Sequence, residues 1–351
     1  MTAKLGQAKK MTPGMAQEAI DAVLKHGSVR AASEAMGLSR RTIAVRLDYG
    51  AAHGMTKPRA QSNPSRWRPG EEIVAARKAE FERVSAAAPN RSGNVIFRPD
   101  EGPFCVFMLG DEHLDNPGTD LKLWERWIKP LNRAKHVTGW SLGDALDNWV
   151  KPLAFLYGAA ETPAPEGWIL LEHYLDQIGE DLDCSVGGNH DKWSGSADVL
   201  GMLMEKHGVL HRNDSLRVAY KTPSGREITV NARHTWSGRS MWNAVHGIKR
   251  AARMGIRDNI LVGGHTHISG EGREIDPLSG KISHCFQVAS FKLVDDYADT
   301  LGLLEGHISP AVALIIDPRR PDTDPEMVKH FYEPESAVEY LAFLRRKKTA
   351  Q

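Results

Sequence analysis

Five short clusters of aspartate, asparagine and histidine recur along the middle of the chain, each behind an apolar run. Asp111 and His113 follow FCVFML (104–109), and Asp144, Asp147 and Asn148 follow HVTGWSL (136–142). Asn189, His190 and Asp191 follow LDCSV (182–186), His234 follows the stretch from Ile228 to Asn231, and His265 and His267 follow NILV (259–262). Imidazole nitrogen and carboxylate oxygen without thiolate suit Mn²⁺, Fe²⁺ or Zn²⁺ and disfavour a closed structural zinc site. A carboxylate that reaches two such ions holds them ~3.5–4 Å apart, which clamps the attacking and leaving oxygens of an in-line phosphoryl displacement. The chemistry to expect is hydrolysis of phosphate esters.

The elements that must position these residues are legible around them. The apolar runs are short strands, and candidate helices lie between the first three, at 119–134 and 168–180. Strand–helix alternation with apolar strands is the pattern of a layered α/β sheet. Ligands gathered at strand C-termini are where an open α/β sheet places its site, and the adjoining glycines let backbone approach without a Cβ. Hairpins are expected at 217–233 and 272–288, which makes the sheets mixed. AVALIID (311–317) reads as the final strand, and Ser336–Lys348 as a terminal amphipathic helix.

Asp-x-His, Gly-Asp-x-x-Asp, Gly-Asn-His-Asp, a lone His after a strand, and Gly-His-x-His stand here in the order found in the calcineurin-like metallophosphoesterase superfamily, which residues 100–318 resemble. The resemblance implies a four-layer α/β/β/α sandwich: two stacked mixed β-sheets flanked by helices. It implies two divalent ions, Mn²⁺ first and Fe²⁺ or Zn²⁺ as alternatives. Asp111, His113 and His267 would hold one, Asn189, His234 and His265 the other, and Asp144 would bridge them. A bridging hydroxide would be the nucleophile, and His190 would stabilise the transition state and protonate the leaving oxygen. Asp191 would orient His190 through its other ring nitrogen. His246 lies between the same strands as His234 but falls mid-helix in MWNAVHGIKRAARMG, so His234 is the choice. Asp147 either supports a ligand or caps the next segment; Asn148 either touches phosphate or caps.

A second unit precedes this one. Residues 12–50 read as helices, with Gly37 in a turn and Ser39 as N-cap of a third helix over Arg40–Tyr49. The run from Gly27 to Leu47 resembles the helix-turn-helix of bacterial and phage DNA-binding proteins, a small all-α domain. Arg40, Arg41, Thr42 and Arg46 would then face phosphates and guanine edges. Residues 1–70 carry twelve Lys/Arg and four acids, a net of +8 against −7 for the remainder. That asymmetry suggests a polyanion partner, DNA. The expected division is 1–50 reader, 51–92 basic linker with connecting helix, 93–318 catalytic domain and 319–351 C-terminal extension.

Other features narrow the class. No apolar run reaches the ~18 residues that span a bilayer, and the N-terminus lacks a signal-peptide pattern, so a cytoplasmic protein without a membrane partner is expected. Cys105, Cys184 and Cys285 sit apart in apolar runs, as reduced thiols do. A DNA-directed phosphodiesterase of phage or prophage type is the leading reading. The alternatives are a phosphomonoesterase or protein phosphatase brought to DNA, and a regulator whose phosphoesterase body is scaffold. Asn148 stands where protein phosphatases carry a phosphate-binding arginine, and Asp191 where they carry glutamate, which disfavours that branch.

Overall fold

The computed structural model describes residues 11–55, 68–86, 93–149, 162–194, 197–240, 242–294 and 309–347. It divides into two compact units, Met1–Arg83 and Val84–Gln351. Most of the expected linker, including Lys57, Pro58, Arg59, Pro64 and Arg66, lies outside the described residues, as does His307.

The first unit holds α1 (Pro13–His26), α2 (Val29–Met36), α3 (Arg40–Ala52) and most of α4 (Gly70–Ala86). Its helix ends follow from local chemistry. Thr12, Ser28 and Ser39 each accept a hydrogen bond from the backbone N–H three residues on, and Gly27 and Gly37 end their helices with φ of 75° and 62°. Ala19, Ile20, Ile43 and Leu47 form the small core.

The second unit is built on two six-stranded mixed sheets. Its strands are β1 (Asn94–Phe97), β2 (Phe104–Leu109), β3 (Val137–Ser141), β4 (Leu182–Gly187), β5 (Leu210–Asn213), β6 (Ser215–Lys221), β7 (Glu227–Arg233), β8 (Ile260–Gly263), β9 (Gly270–Ile275), β10 (Ile282–Gln287), β11 (Ala311–Ile316) and β12 (Val328–Phe331). Sheet A runs β1-β6-β7-β8-β10-β9, and sheet B runs β12-β11-β2-β3-β4-β5. In sheet B, β2 to β5 are parallel neighbours; in sheet A, β7 and β8 are parallel.

Strand periodicity sorts the core into layers. Phe104, Val106 and Met108 of β2 face the other sheet, with Val218, Tyr220, Val230 and Val262 among their companions. Cys105, Phe107 and Leu109 point the opposite way, into helices α5 (Leu121–Ile128), α6 (Ala164–Ile178), α7 (Val199–Lys206) and α9 (Pro334–Lys347). On the far side, α8 (His246–Arg253) covers sheet A through Ile248 and Ala252 against Leu261 and Cys285. This is a four-layer α/β/β/α sandwich, as expected. All three cysteines are buried and free.

A polar link crosses the apolar inter-sheet layer. Trp140 Nε1 donates to the Tyr220 hydroxyl at 2.7 Å, and that hydroxyl donates to Asp183 Oδ2 at 2.6 Å. Thr138 Oγ1 donates to the same oxygen.

Within the described residues, 319–347 are built into the second unit rather than appended to it. β12 pairs antiparallel with β11 at the edge of sheet B, and Ala337 and Leu341 of α9 enter the helix-side core. Strand VKHF is too short and polar to announce itself beside AVALII; it exists because β11 offers an edge. Among the described residues, no helix is long and apolar enough to cross a membrane.

Candidate metal centre

Because β2, β3 and β4 run parallel in one sheet and β7 and β8 run parallel in the other, the segments that follow them emerge together. The side chains meet there in three overlapping groups: Asp111, His113 and His267; His113, Asp144 and His190; and Asp144, His234 and His265, with donor atoms within 4.8 Å of one another in each. Asn189 Oδ1 lies 3.1 Å from His234 Nε2, beside the third group. All seven expected ligands are thus brought together, with His190 adjoining them. His246 is exposed at the start of α8, away from this role.

The backbone is strained where it delivers these groups. Among the described residues eight non-glycines have positive φ, and six are here: Asp111 (48°), His113 (42°), Asp144 (57°), Asn148 (42°), His265 (74°) and His267 (53°). Left-handed conformations cost non-glycine residues energy and persist where surrounding structure enforces them, commonly at functional sites. The neighbouring glycines serve close approach instead. A Cβ on Gly188 would lie 2.1 Å from Asp144 Oδ1, and one on Gly264 would lie 2.4 Å from Asp111 Oδ2.

Hydrogen bonds fix which atom each ligand presents. His234 Nδ1 meets the Leu142 carbonyl at 2.8 Å, leaving Nε2 directed at Asp144 Oδ2, 3.1 Å away. His113 Nδ1 stands 2.8 Å from Asp147 Oδ1, and its Nε2 is buried with no hydrogen-bond partner. An orphaned buried nitrogen facing carboxylates is what a metal ligand leaves when the ion is omitted. Asp111 accepts the His265 backbone N–H at 2.7 Å. Asp147 therefore supports His113, and Asn116 Nδ2 in turn donates to its other oxygen. Asn148 Nδ2 donates to the His190 carbonyl at 2.8 Å and to Ser194 Oγ at 3.0 Å, which ties it to the backbone of the His190 segment.

Asp191 does something other than orient His190. Its carboxylate accepts the backbone N–H groups of Asp144 (2.8 Å), Ala145 (3.2 Å) and Gly188 (2.7 Å), clamping the segment after β3 to the one after β4. The partner of His190 Nδ1 is the Asp147 carbonyl, at 2.5 Å. Sequence adjacency misled here, because the tight turn points the Asp191 carboxylate back at its own sheet and leaves a backbone carbonyl to hold His190.

Electrostatics reflect a crowded, buried set of like groups. Burial pushes the Asp111 carboxyl up to about 7, with the Asp144 charge adding to the push. Burial would do the same to Asp144, but hydrogen bonding and charge from His234 hold it well below the carboxylate range. Burial would lower His113 and His234, yet Asp147 raises the first to about 9 and Asp144 the second to about 10. Burial and the His234 charge bring His265 down to about 4. Burial, then the charge of His113, lowers His190. Carboxylates and imidazoles this close suit shared divalent cations in both donor type and placement.

In the first unit, Arg40 and Arg41 of α3 are exposed, as expected. Arg46 is not: its side chain is only 12% exposed and its Nη1 lies 3.3 Å from Glu18 of α1. Thr42 is half-buried, its hydroxyl 2.8 Å from that of Ser39 at the helix start. At ~100° per residue, Arg46 lies about 140° round the helix from Arg41, which turns it to the seam with α1.

Sequence reasoning passed over Lys292, Trp149 and Trp193. Lys292 is buried and its charge helps lower Asp147; its Nζ is 5.7 Å from the Trp149 ring centroid. Both tryptophans directly flank motif residues, Asn148-Trp149 and His190-x-x-Trp193, which was the available signal.

No protein-family model matches the chain, and no curated protein does. Solved structures do. A metallophosphoesterase from Sphaerobacter thermophilus aligns at 17% identity and TM-score 0.34, over 68% of this chain and 99% of its own. The Pseudomonas putida nuclease MPE aligns at 13% and 0.30, over 64% and 87%. Vps29 from Entamoeba histolytica, complexed with zinc, aligns at 15% and 0.32, over 65% and 97%.

Proposed function

We propose that this protein is a two-metal-dependent phosphodiesterase that cleaves DNA. The observation that carries the reading is the convergence of Asp111, His113 and His267 beside Asp144, His234 and His265, with His190 at the junction. Asp111, His113 and His267 would hold one divalent ion, Asn189, His234 and His265 the other, and Asp144 would reach both. When bound, the pair supplies Lewis acidity toward phosphate oxygens and a nucleophile at neutral pH.

The chain's own residues supply the remainder. His190 Nδ1 is engaged by the Asp147 carbonyl, so Nε2, 4.0 Å from Asp144 Oδ2, is the nitrogen that can give a proton to the leaving oxygen. Asp147 keeps His113 Nε2 turned inward. Asp191 holds the strand-end segments at fixed separation, so little reorganisation is needed when substrate arrives. Buried Lys292 adds positive charge on the Asp147 side, favourable to an anionic substrate. Exposed Arg40 and Arg41 on α3, in the basic N-terminal part, support DNA as that substrate.

With Mn²⁺ added, the full chain should cleave bis-p-nitrophenyl phosphate and DNA, and EDTA should stop both. Activity confined to p-nitrophenyl phosphate would sink the diesterase reading. Arg40→Ala with Arg41→Ala should weaken DNA binding and flatten its dependence on log salt by about two units. An unchanged salt slope would remove the first unit from DNA recognition.

A further inference from the structure

Three aromatic rings pack together at the rim of the metal centre. The His190 imidazole has its centroid 4.2 Å from that of Trp193 and 5.0 Å from that of Trp149. The two indoles are 6.0 Å apart and inclined by 34°. Trp124, Trp127 and Trp140 are buried in the core, at 4%, 1% and 0% exposed, whereas Trp242 is 92% exposed. Trp149 and Trp193 remain half-exposed where they pack on the half-buried His190. Two large apolar faces are therefore kept at the surface beside the imidazole that must meet the leaving oxygen.

Mere shielding of His190 would not need this arrangement, since aliphatic side chains shield as well and present no flat face. A half-exposed indole offers a π surface to a planar partner, and base–aromatic stacking is worth ~1–3 kcal/mol per base without regard to sequence. A phosphodiester placed against His190 Nε2 brings its attached nucleosides to the same rim. The buried Lys292 ammonium lies 5.7 Å from the Trp149 centroid, on the inner side of the pair.

We propose that Trp149 and Trp193 form a stacking platform for a nucleobase next to the scissile phosphate, so that the site takes a nucleotide whose base has left the duplex stack: single-stranded DNA or a frayed end. The platform rests on the phosphodiesterase reading above and names its substrate class. A base still paired inside a duplex cannot reach the indoles, because its faces are covered by its neighbours.

The test compares two diesters with the same leaving group, thymidine 5′-(p-nitrophenyl phosphate) and methyl p-nitrophenyl phosphate, on the full chain with Mn²⁺. The wild type should favour the nucleoside ester in kcat/KM by roughly 10–100-fold. In a Trp149→Leu, Trp193→Leu double variant that ratio should fall to within ~3-fold of unity, whereas the double Phe variant should keep most of it. Because the ratio is read, general damage to the site cancels. An equal loss on both substrates would overturn the platform and leave the indoles as packing for His190. If the wild type hydrolyses neither diester, the phosphodiesterase reading fails separately. A fluorescence titration with the dinucleotide dTpdT then still decides the platform, which requires weaker binding to the Leu variant; equal affinity would refute it.

Discussion

Sheet B sends Asp111, His113, Asp144, Asn189 and His190 into the site from three adjacent parallel strands, whereas sheet A sends only the imidazoles of His234, His265 and His267. Both carboxylates among the expected ligands therefore come from one sheet, and two of the three candidate metal groups are completed by the other, while His113, Asp144 and His190 all follow strands of sheet B. The division has an electrostatic reason. Burial, with a smaller push from the Asp144 charge, raises Asp111, and the His234 imidazole from the facing layer works against it. Two of the three groups thus depend on the docking of the two sheets.

The strongest challenge to that division is Asp144, which like His113 is shared by two of the three groups. Asp144→Asn should lower kcat/KM for a diester by ~10³-fold or more, about 4 kcal/mol, with the melting curve preserved. If His265→Ala costs more, the bridging role belongs to sheet A and the asymmetry is wrong.

Next comes the imidazole side. His234→Ala should remove several kcal/mol of transition-state stabilisation, roughly 10²-fold or more in kcat, while His246→Ala on exposed helix α8 should stay within about twofold. Equal effects would mean that sheet A contributes through α8 rather than through the end of β7.

Asp147→Asn should weaken metal affinity by ~10–100-fold in a calorimetric titration, because His113 loses the group that sets its orientation. The pH dependence sharpens this. In the metal-free protein Asp147 holds His113 up at about 9, so a metal must displace that proton and wild-type affinity should rise with pH until about 9. Without the carboxylate the rise should be complete at lower pH. An unchanged profile would place the titrating group elsewhere.

The smallest effect concerns stability. Saturating metal at ~100 times Kd should stabilise the second unit by ~2.7 kcal/mol, or ~5–10 °C in Tm by calorimetry. The three-helix unit should melt at the same temperature with or without EDTA. A shared shift would mean that the metal does not act by joining the two sheets.

Much of this was legible in the sequence, and the boundary is instructive. FCVFML at 104–109 is β2 to the residue, since an uninterrupted apolar run followed by Gly-Asp admits few other readings. The two hairpins appear at β6–β7 and β9–β10. Ligand types and order were readable because each motif is contiguous. What depends on partners remote in sequence was not: β12 exists through β11, Arg46 turns to Glu18 across α1, and Asp191 reaches back to the strand ends. Nor did glycine positions reveal that the ligands themselves would carry the left-handed backbone.

The contact from Trp140 through Tyr220 to Asp183 has a bearing on accuracy of assembly. Greasy faces adhere at many offsets with little preference among them, whereas a hydrogen bond has a direction and a length. These three residues stand on β3, β6 and β4, so the link spans both layers a few residues upstream of Asp144 and Asn189. It acts as a locating pin. The relative alignment of donors from opposite layers is inherited from a bond that never touches them. A protein lacking it could fold cooperatively, keep every ligand, and still hold its two half-sites slightly out of true.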